Sequence, residues 1–152
     1  MTNFAFGGSD FAFYETLPGG AGARPRAPGR HAVQTHMTNT RNTPIEEFEA
    51  RYPVRVVRLG LRVGSGGAGA RRGGDGLCKV VELLGPMRIS LFADRQRIGP
   101  PGLAGGESGA TGETWRRNGE QRERLPGKWS GAGRMGDQIE ILTPGGGGHG
   151  AP

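Results

Sequence analysis

Short stretches in which apolar and polar residues alternate recur along the chain, and glycine-rich segments separate them. Such alternation is typical of strands with one buried face. We therefore predict strands over residues 4–17 with a break at Gly7-Gly8, and over residues 54–63, 77–84, 87–93 and 138–142. In the strand 54–63, a change of phase at Val56-Val57 indicates a bulge. The face of that strand predicted to be buried holds Val57, Leu59, Leu61 and Val63.

Turn residues predict how some of these strands are connected. Gly85-Pro86 joins two of them with the spacing of a tight hairpin. Asn118-Gly119 is typical of a type I′ hairpin within residues 115–124. Most of the strands should therefore be antiparallel and short.

One short helix is predicted over residues 44–51. Thr43 is its expected cap, Pro44 suits the first helical position, and Glu46 completes a capping box. Pro53 should end the helix. The predicted fold class is thus mainly β (α+β), with glycine-rich loops linking short antiparallel strands and one short capped helix.

The composition indicates that the chain lacks a large core of its own. It has 31 glycines and 11 prolines among 152 residues, and glycine loses more backbone entropy on folding than other residues do. We therefore expect the chain to need a partner surface or further parts of a longer polypeptide. The last glycine run, within residues 144–150, is predicted to be a mobile tail in preference to a loop packed against other backbone.

The net charge of +6 comes almost wholly from arginines scattered among acidic residues, without aromatic residues interleaved as a stacking platform. We therefore expect solvated arginines and no nucleic-acid partner, which makes a glycine-rich RNA-binding protein the least favoured function. Cys78 is alone in an apolar stretch, and this predicts a small buried residue. No apolar run approaches membrane-spanning length, and we expect a cytoplasmic protein with no membrane partner.

A glycine-rich loop after a predicted strand is the first candidate site. Gly64–Gly69 reads G-x-G-x-x-G, but further glycines stand where a dinucleotide-binding turn needs a helix. The loop is either a structural turn or an anion site in which backbone N–H groups act together with Arg71, Arg72 and Asp75. The sequence contains no Walker-type phosphate loop and no G-x-S-x-G nucleophile elbow.

A dense run of polar residues, 34–43, is the second candidate site. It contains His36, whose imidazole titrates near neutral pH and is suited to proton transfer. The same side chains can instead satisfy the backbone of a turn, and the residues alone leave both interpretations open. His31 and His36 are five residues apart in a predicted loop, which is weak evidence for a metal pair.

Ten short segments follow one another along nearly the whole chain: residues 14–16 (YET), 19–23 (GGAGA), 34–44 (QTHMTNTRNTP), 51–53 (RYP), 61–69 (LRVGSGGAG), 72–76 (RGGDG), 94–97 (DRQR), 99–106 (GPPGLAGG), 125–128 (LPGK) and 143–148 (TPGGGG). In this combination and order they resemble the C-terminal part of the hydantoinase B/oxoprolinase family.

The resemblance implies a B-type subunit of an ATP-dependent enzyme that hydrolyses a small cyclic amide, as in N-methylhydantoinase or 5-oxoprolinase. In such enzymes an A-type subunit phosphorylates the cyclic amide with ATP, and the B-type subunit then handles ring opening. ATP would therefore act through an A-type partner subunit.

The resemblance also implies that residues 1–152 are a C-terminal fragment, since complete B-type subunits are several times longer. The family's upstream segment bearing His and Asp has no counterpart in these residues. We therefore expect a divalent metal only in a full-length subunit, no metal ligands within this chain, and no activity from the chain alone.

The candidate catalytic residues, which would line the substrate cleft, are His36, Asn39 and Arg41. The candidate substrate-binding residues are Glu15, Arg71, Arg72, Asp75 and Arg95. A structural hydrogen-bonding role remains open for each of them. Two alternative functions also remain open: a non-catalytic remnant that binds an A-type partner, and a part of a related ATP-dependent ketone carboxylase.

Overall fold

The computed structural model describes residues 1–35 and 38–152, which form two antiparallel sheets and one short helix. The four-stranded sheet has the order β2-β1-β5-β8, and the five-stranded sheet has the order β3-β4-β9-β6-β7. This mainly β architecture confirms the predicted fold class. The elements are β1 (Thr2–Gly7), β2 (Ala12–Leu17), α1 (Ile45–Arg51), β3 (Val54–Arg62), β4 (Gly76–Leu83), β5 (Met87–Ala93), β6 (Glu113–Asn118), β7 (Gln121–Leu125), β8 (Lys128–Gly133) and β9 (Gln138–Leu142).

Both sheets and the helix contribute to one hydrophobic core. Strand β5 shows the alternation that builds it, because Met87, Ile89 and Leu91 are buried while the residues between them are exposed. Phe48 of α1 packs edge-on against Phe13 of β2, with 4.8 Å between the ring centroids. Burial of each such side chain stabilises the fold by about 1.5–3 kcal/mol, so the core holds the two sheets and the helix together.

The predicted hairpin across Gly85-Pro86 is wrong. Strand β4 belongs to the five-stranded sheet and β5 to the four-stranded sheet. The chain crosses between them instead of folding back, because Leu83 and Met87 at the two sides of the crossing are both buried in the shared core. The Leu84 N–H donates to the Pro53 carbonyl at 2.8 Å, which fixes the crossing.

The hairpin predicted near Asn118-Gly119 is present as β6 and β7. Asn118 pairs with Gln121, so the two-residue loop is Gly119-Glu120, one position later than a type I′ Asn-Gly turn requires. Gly119 has a φ of +56°, in the left-handed region that glycine tolerates best. The hairpin is confirmed, and its turn is displaced by one residue.

Helix α1 ends before Pro53 as predicted, but its predicted capping box is wrong. Pro44 is the N-cap, and no side chain caps the helix. The Thr43 N–H instead donates to Glu15 Oε2 at 3.1 Å. A tertiary contact to the neighbouring strand β2 therefore takes the place of the local cap.

Strand β3 has the predicted bulge, because its register with β4 shifts between Val56 and Arg58. The prediction that its apolar face is buried is wrong: the exposed fractions are 50% for Val57, 47% for Leu59, 44% for Leu61 and 83% for Val63. β3 is an edge strand; its first residue, Val54, belongs to the shared core, and Val56 packs against that core.

The C-terminal glycine run is the centre of a bundle of extended segments, and its prediction as a mobile tail is wrong. Gly145–Gly148 are buried. The surrounding backbone consists of residues 19–23, 65–68, 71–75 and 99–110. Hydrogen bonds of 2.8–2.9 Å join the run to these neighbours, including Gly20 N to Pro144 O, Ala23 N to Gly147 O, Gly67 N to Gly146 O, Gly146 N to Gly74 O, and Gly148 N to Glu107 O.

The packing around this run repeats every three residues. A Cβ atom at Gly145 would meet Ser65, and one at Gly148 would meet Ala68 of the same neighbouring segment. Cβ atoms at Gly146 and Gly147 would meet two other segments, at Ala21 and Pro101. A three-residue repeat is the period of a polyproline II helix, in which consecutive residues face different neighbours. We therefore describe residues 144–150, together with the surrounding segments, as the glycine bundle.

Candidate functional site

A buried ion pair lies between the two sheets. Lys79 Nζ of β4 is 2.5 Å from Glu15 Oε1 of β2, and the two side chains are 5% and 4% exposed. The second carboxylate oxygen of Glu15 accepts the Thr43 N–H described above. The Lys79 ammonium also lies over the Phe48 ring, 4.6 Å from its centroid. Buried charges in proteins are normally paired in this way.

Lys79 also lines a small cavity of about 170 Å³. Its walls come from the end of β2, the polar run before α1, the helix, and strands β3 and β4. Most of the lining is apolar, and the apolar residues include Leu17, Ile45, Phe48, Val56, Leu59 and Leu77. The cavity thus has Lys79, Asn42 and Thr43 in a lining that is otherwise apolar, and Leu59 of the exposed strand β3 contributes to one wall.

Asp75 holds the glycine-rich loop predicted as an anion site. Its buried carboxylate accepts the Gly66 N–H at 2.9 Å and one N–H of Arg72 at 3.2 Å. The Asp75 N–H donates to His31 Nδ1 at 2.9 Å. The same nitrogen lies 3.4 Å from the Asp75 carboxylate.

Most backbone N–H groups of this loop are already bonded within the protein. Those of Gly67, Gly73 and Gly74 donate to carbonyls of the glycine bundle. An anion bound at this loop would therefore depend on the side chains of Arg71, which is exposed, and Arg72, which is already paired with Asp75. The role predicted for these three residues stays a prediction.

Arg95 borders a cleft of about 340 Å³, with polar and apolar lining residues, beside the predicted polar run. Gln34, Thr35 and Thr38 of that run line the same cleft, and Arg95 has a φ of +60°. The Gln34 and Asn42 side-chain amides both donate to the Thr16 carbonyl, at 2.6 and 3.1 Å. The two ends of the polar run are thus fixed on β2, one residue after Glu15.

The three predicted catalytic residues are not assembled into a site by the described residues. His36 lies outside the described residues. Asn39 and Arg41 are exposed. Their roles stay predictions, whereas the structure does bring Arg95 to the polar run and Glu15 to the residue preceding the helix.

Lys79 was missed as a candidate by the sequence analysis. The signal was present in strand β4. Lys79 has the same parity as Leu77, Val81 and Leu83, which belong to the hydrophobic core or pack against it. A lysine at an inward position needs a buried partner. Cys78 has the opposite parity and faces the other side of β4. Burial raises the pKa of the Cys78 thiol and makes the thiol a poor nucleophile.

Within residues 1–35 and 38–152, no group of three or more His, Cys, Asp or Glu side chains could hold a metal ion. No helix in that same part of the chain is long and apolar enough to cross a membrane.

Comparison with known proteins gives a match over the whole chain. The family model described as hydantoinase B/oxoprolinase matches residues 1–152. 5-oxoprolinase 1 of Arabidopsis thaliana is 45% identical over 152 residues, which cover 99% of this chain and 12% of that protein. The chain therefore spans about an eighth of the length of this relative.

Two solved structures share the fold. The ATP-dependent caprolactamase from Pseudomonas jessenii has a TM-score of 0.82 at 23% identity, covering 99% of this chain and 29% of the other. The nucleotide-free acetone carboxylase has a TM-score of 0.80 at 16% identity, covering 99% of this chain and 25% of the other. At these identities the similarity concerns the fold alone.

Proposed function

This chain belongs to the hydantoinase B/oxoprolinase family, and from that premise we propose that it contributes to the ATP-dependent hydrolysis of a small cyclic amide. The observation that carries the proposal is the match over the entire chain, together with 45% identity to a 5-oxoprolinase. The proposal concerns a larger enzyme, because the chain spans 12% of that relative. Residues 1–152 would be its C-terminal fragment.

In the proposed reaction, an A-type partner subunit uses ATP to phosphorylate the amide oxygen. Phosphorylation turns that oxygen into a leaving group and lowers the barrier to attack by water. The N–H groups of Gly66, Gly67, Gly73 and Gly74 in the glycine-rich loop are bonded internally, which supports a phosphate-binding site outside this loop. We therefore assign ATP to the partner and ring opening to the B-type assembly that includes this chain.

Within this assembly, we propose that the polar run and Arg95 form one wall of the substrate cleft. Arg95, Gln34 and Thr38 already border a common cleft, and hydrogen-bond donors are needed where negative charge develops on the phosphorylated amide. His36, Asn39 and Arg41 would supply further polar and acid–base groups. A divalent metal, if the enzyme uses one, would be bound by the larger assembly.

The experiment is reconstitution of the purified chain with an A-type subunit and the remaining B-type segments. Ring-opened product and ADP are measured with and without ATP, and the A-type subunit alone is the control. We expect activity only in the complete mixture. ATP-dependent ring opening by the isolated chain would contradict the division of roles, and an inactive complete mixture would contradict the proposed reaction.

The alternative is a non-catalytic remnant that binds an A-type partner. The exposed apolar row on β3, with Val57, Leu59, Leu61 and Val63, favours a binding role of some kind. Formation of a stable complex that never turns over a cyclic amide would support this alternative. Replacing the cyclic amide by a ketone and bicarbonate in the same mixture tests the carboxylase function.

A further inference from the structure

The backbone bonds of strand β4 show which groups of its neighbour β3 are free. The Thr143 N–H donates to the Leu77 carbonyl at 2.8 Å, so Leu77 directs its backbone groups toward the β9 side of β4. Because these groups alternate in direction along an antiparallel strand, Cys78 directs its own toward β3. Cys78 pairs there with Gly60, which therefore uses its N–H and C=O on the side of β4.

Leu59 and Leu61, on either side of Gly60, direct their N–H and C=O groups away from β4. Within residues 1–35 and 38–152, β4 is the one strand beside β3, and no loop bonds these four groups. The two leucine side chains are 47% and 44% exposed, and Val57 and Val63 are exposed as well. Residues 57–63 thus combine free backbone groups with apolar side chains, and we call them the open edge.

The edge strand β7 and the beginning of β3 are protected, whereas the open edge is not. Glu49 Oε1 accepts the Val56 N–H at 2.6 Å, just before the open edge begins. On β7, residues 121–124 are polar and exposed. Natural proteins use such features to prevent the pairing of sheet edges with other chains. The lack of protection after Val56 therefore favours a further strand that pairs with β3 there.

The charges of β3 indicate which kind of strand fits. Arg58 is exposed and has no ion-pair partner in the part of the chain that the structure describes, whereas Arg55 and Arg62 are each paired with a glutamate. Opposite charges facing each other across two strands stabilise their pairing. A matching strand would therefore place an acidic side chain opposite Arg58 and apolar side chains opposite Leu59 and Leu61.

A second copy of the chain fits this edge poorly. The antiparallel register that pairs Leu59 with Leu61 of the copy also places Arg58 opposite Arg62 of the copy. Like charges directly opposite each other on a sheet are destabilising, and two-fold symmetry would create this contact at both ends of the pairing. The charge pattern therefore favours a segment that differs from β3.

The size of related chains indicates the source of this segment. The region with this fold is 29% of the caprolactamase chain and 25% of the acetone carboxylase chain, so most of each chain lies outside it. We infer that the open edge pairs with an extended segment of the remaining B-type polypeptide, in which apolar residues alternate with acidic ones. The inference rests on the proposed function, from which it takes the longer subunit.

The chemistry of the segment is tested on the whole chain with three peptides that have blocked ends. The first alternates valine and glutamate, the second alternates valine and lysine, and the third is the first with a central proline, which lacks an N–H. Chemical-shift titration of the labelled protein gives a dissociation constant for each. We expect the first to bind at least about fivefold more tightly than the other two, and to shift the amide resonances of Leu59 and Leu61.

A charge reversal on β3 tests the role of Arg58. We expect Arg58→Glu to reverse the preference, so that the valine–lysine peptide binds more tightly than the valine–glutamate peptide. Arg88→Glu is the matched control, because Arg88 is exposed on β5 in the other sheet and the net charge changes equally. Both positions are exposed, so both variants should fold, and the control should keep the preference of the unmodified chain.

Hydrogen exchange in the reconstituted mixture tests the source of the segment. We expect the Leu59 and Leu61 amides to exchange at least about tenfold more slowly when the remaining B-type segments are added, while the amides of the edge strand β7 serve as the reference. The A-type subunit alone should leave both leucine amides unchanged. Sedimentation of the isolated chain at increasing concentration shows whether it pairs with itself.

The outcomes separate this inference from the proposed function. Equal binding of the peptides, an unchanged preference in Arg58→Glu, or protection that arises from self-association or from the A-type subunit alone would overturn the inference. Ring opening in the complete mixture would then leave the proposed function standing. Conversely, protection of the two leucine amides by the B-type segments, without ATP-dependent ring opening, would support the open edge and contradict the proposed function.

Discussion

Gly146 offers the sharpest test of the glycine bundle. It is buried at the centre of the bundle, where its N–H donates to the Gly74 carbonyl at 2.8 Å and its carbonyl accepts the Gly67 N–H at 2.9 Å. A Cβ atom at this position would overlap the backbone carbonyl of Ala21. Backbone cannot move aside as a flexible side chain does, so Gly146→Ala must displace one bundle segment from another.

The free energy of unfolding should fall for two reasons. Overpacking of a tightly packed interior costs typically about 1–3 kcal/mol. Displacement also weakens the two buried backbone hydrogen bonds of Gly146, and each group left unsatisfied costs about 1–3 kcal/mol more. We therefore expect a loss of at least about 3 kcal/mol, which for a chain of this length corresponds to a decrease in Tm of roughly 6–12 °C.

Urea denaturation followed by the fluorescence of Trp115 and Trp129 measures this loss. Gly60→Ala is the matched control, because Gly60 lies in strand β3 and a Cβ there would meet nothing within 4 Å. Its φ is not in the left-handed region, so alanine should be neutral or stabilising by about 0.5–1 kcal/mol. If Gly146→Ala were as stable as Gly60→Ala, the close packing of the bundle would be refuted.

Three further predictions concern the buried polar groups. Lys79→Met should destabilise the fold by about 3–5 kcal/mol, because it leaves the Glu15 carboxylate buried and unpaired. In thermal melts, the double variant that also carries Glu15→Leu should recover much of this lost stability. A single variant as stable as the double variant would contradict the prediction. Asp75→Asn should cost about 1–3 kcal/mol in urea denaturation, because it weakens the bonds from Gly66 and Arg72, whereas the exposed Asp10→Asn should change little. Burial raises the pKa of the Cys78 thiol, so alkylation at pH 8 should be far slower in the folded chain than in urea, and equal rates would contradict its burial. Because the folded pKa lies above the unfolded one, the contribution of Cys78 to stability is complete below the unfolded pKa of about 8.5 and decreases as the pH rises toward the folded pKa.

The local pattern predicted the strands better than it predicted their partners. Alternation located β5, β9 and the bulge of β3 because these features depend on residues close in sequence. The spacing at Gly85-Pro86 predicts a hairpin where the chain in fact crosses between sheets, because the choice between two sheets depends on the shared core, which sequence spacing does not show. The exposure of the apolar face of β3 could not be predicted either. Alternation shows that one face of a strand is apolar, but it does not show whether another element packs against that face.

The candidate site was predicted in part for the same reason. Glu15 came from the family resemblance, but its partner Lys79 is 64 residues away in sequence, and no local pattern connects the two. The glycine run at residues 145–148 suggested mobility because glycine is flexible in isolation. Its burial depends on four other segments, each rich in glycine, that pack around it without side chains in the way.

Thr143 explains why the glycine bundle and the cavity should be considered as one structure. Its hydroxyl donates to the Pro18 carbonyl at 2.8 Å and accepts the Leu77 N–H at 2.6 Å, and both Pro18 and Leu77 line the cavity. Thr143 directly precedes the central run of the bundle, and Arg62 binds its carbonyl at 3.2 Å. We therefore expect a displacement of the run to shift Pro18 and Leu77 of the cavity wall through these hydrogen bonds. The glycines, which have no side chains for chemistry, thus contribute to the site by fixing the position of its walls.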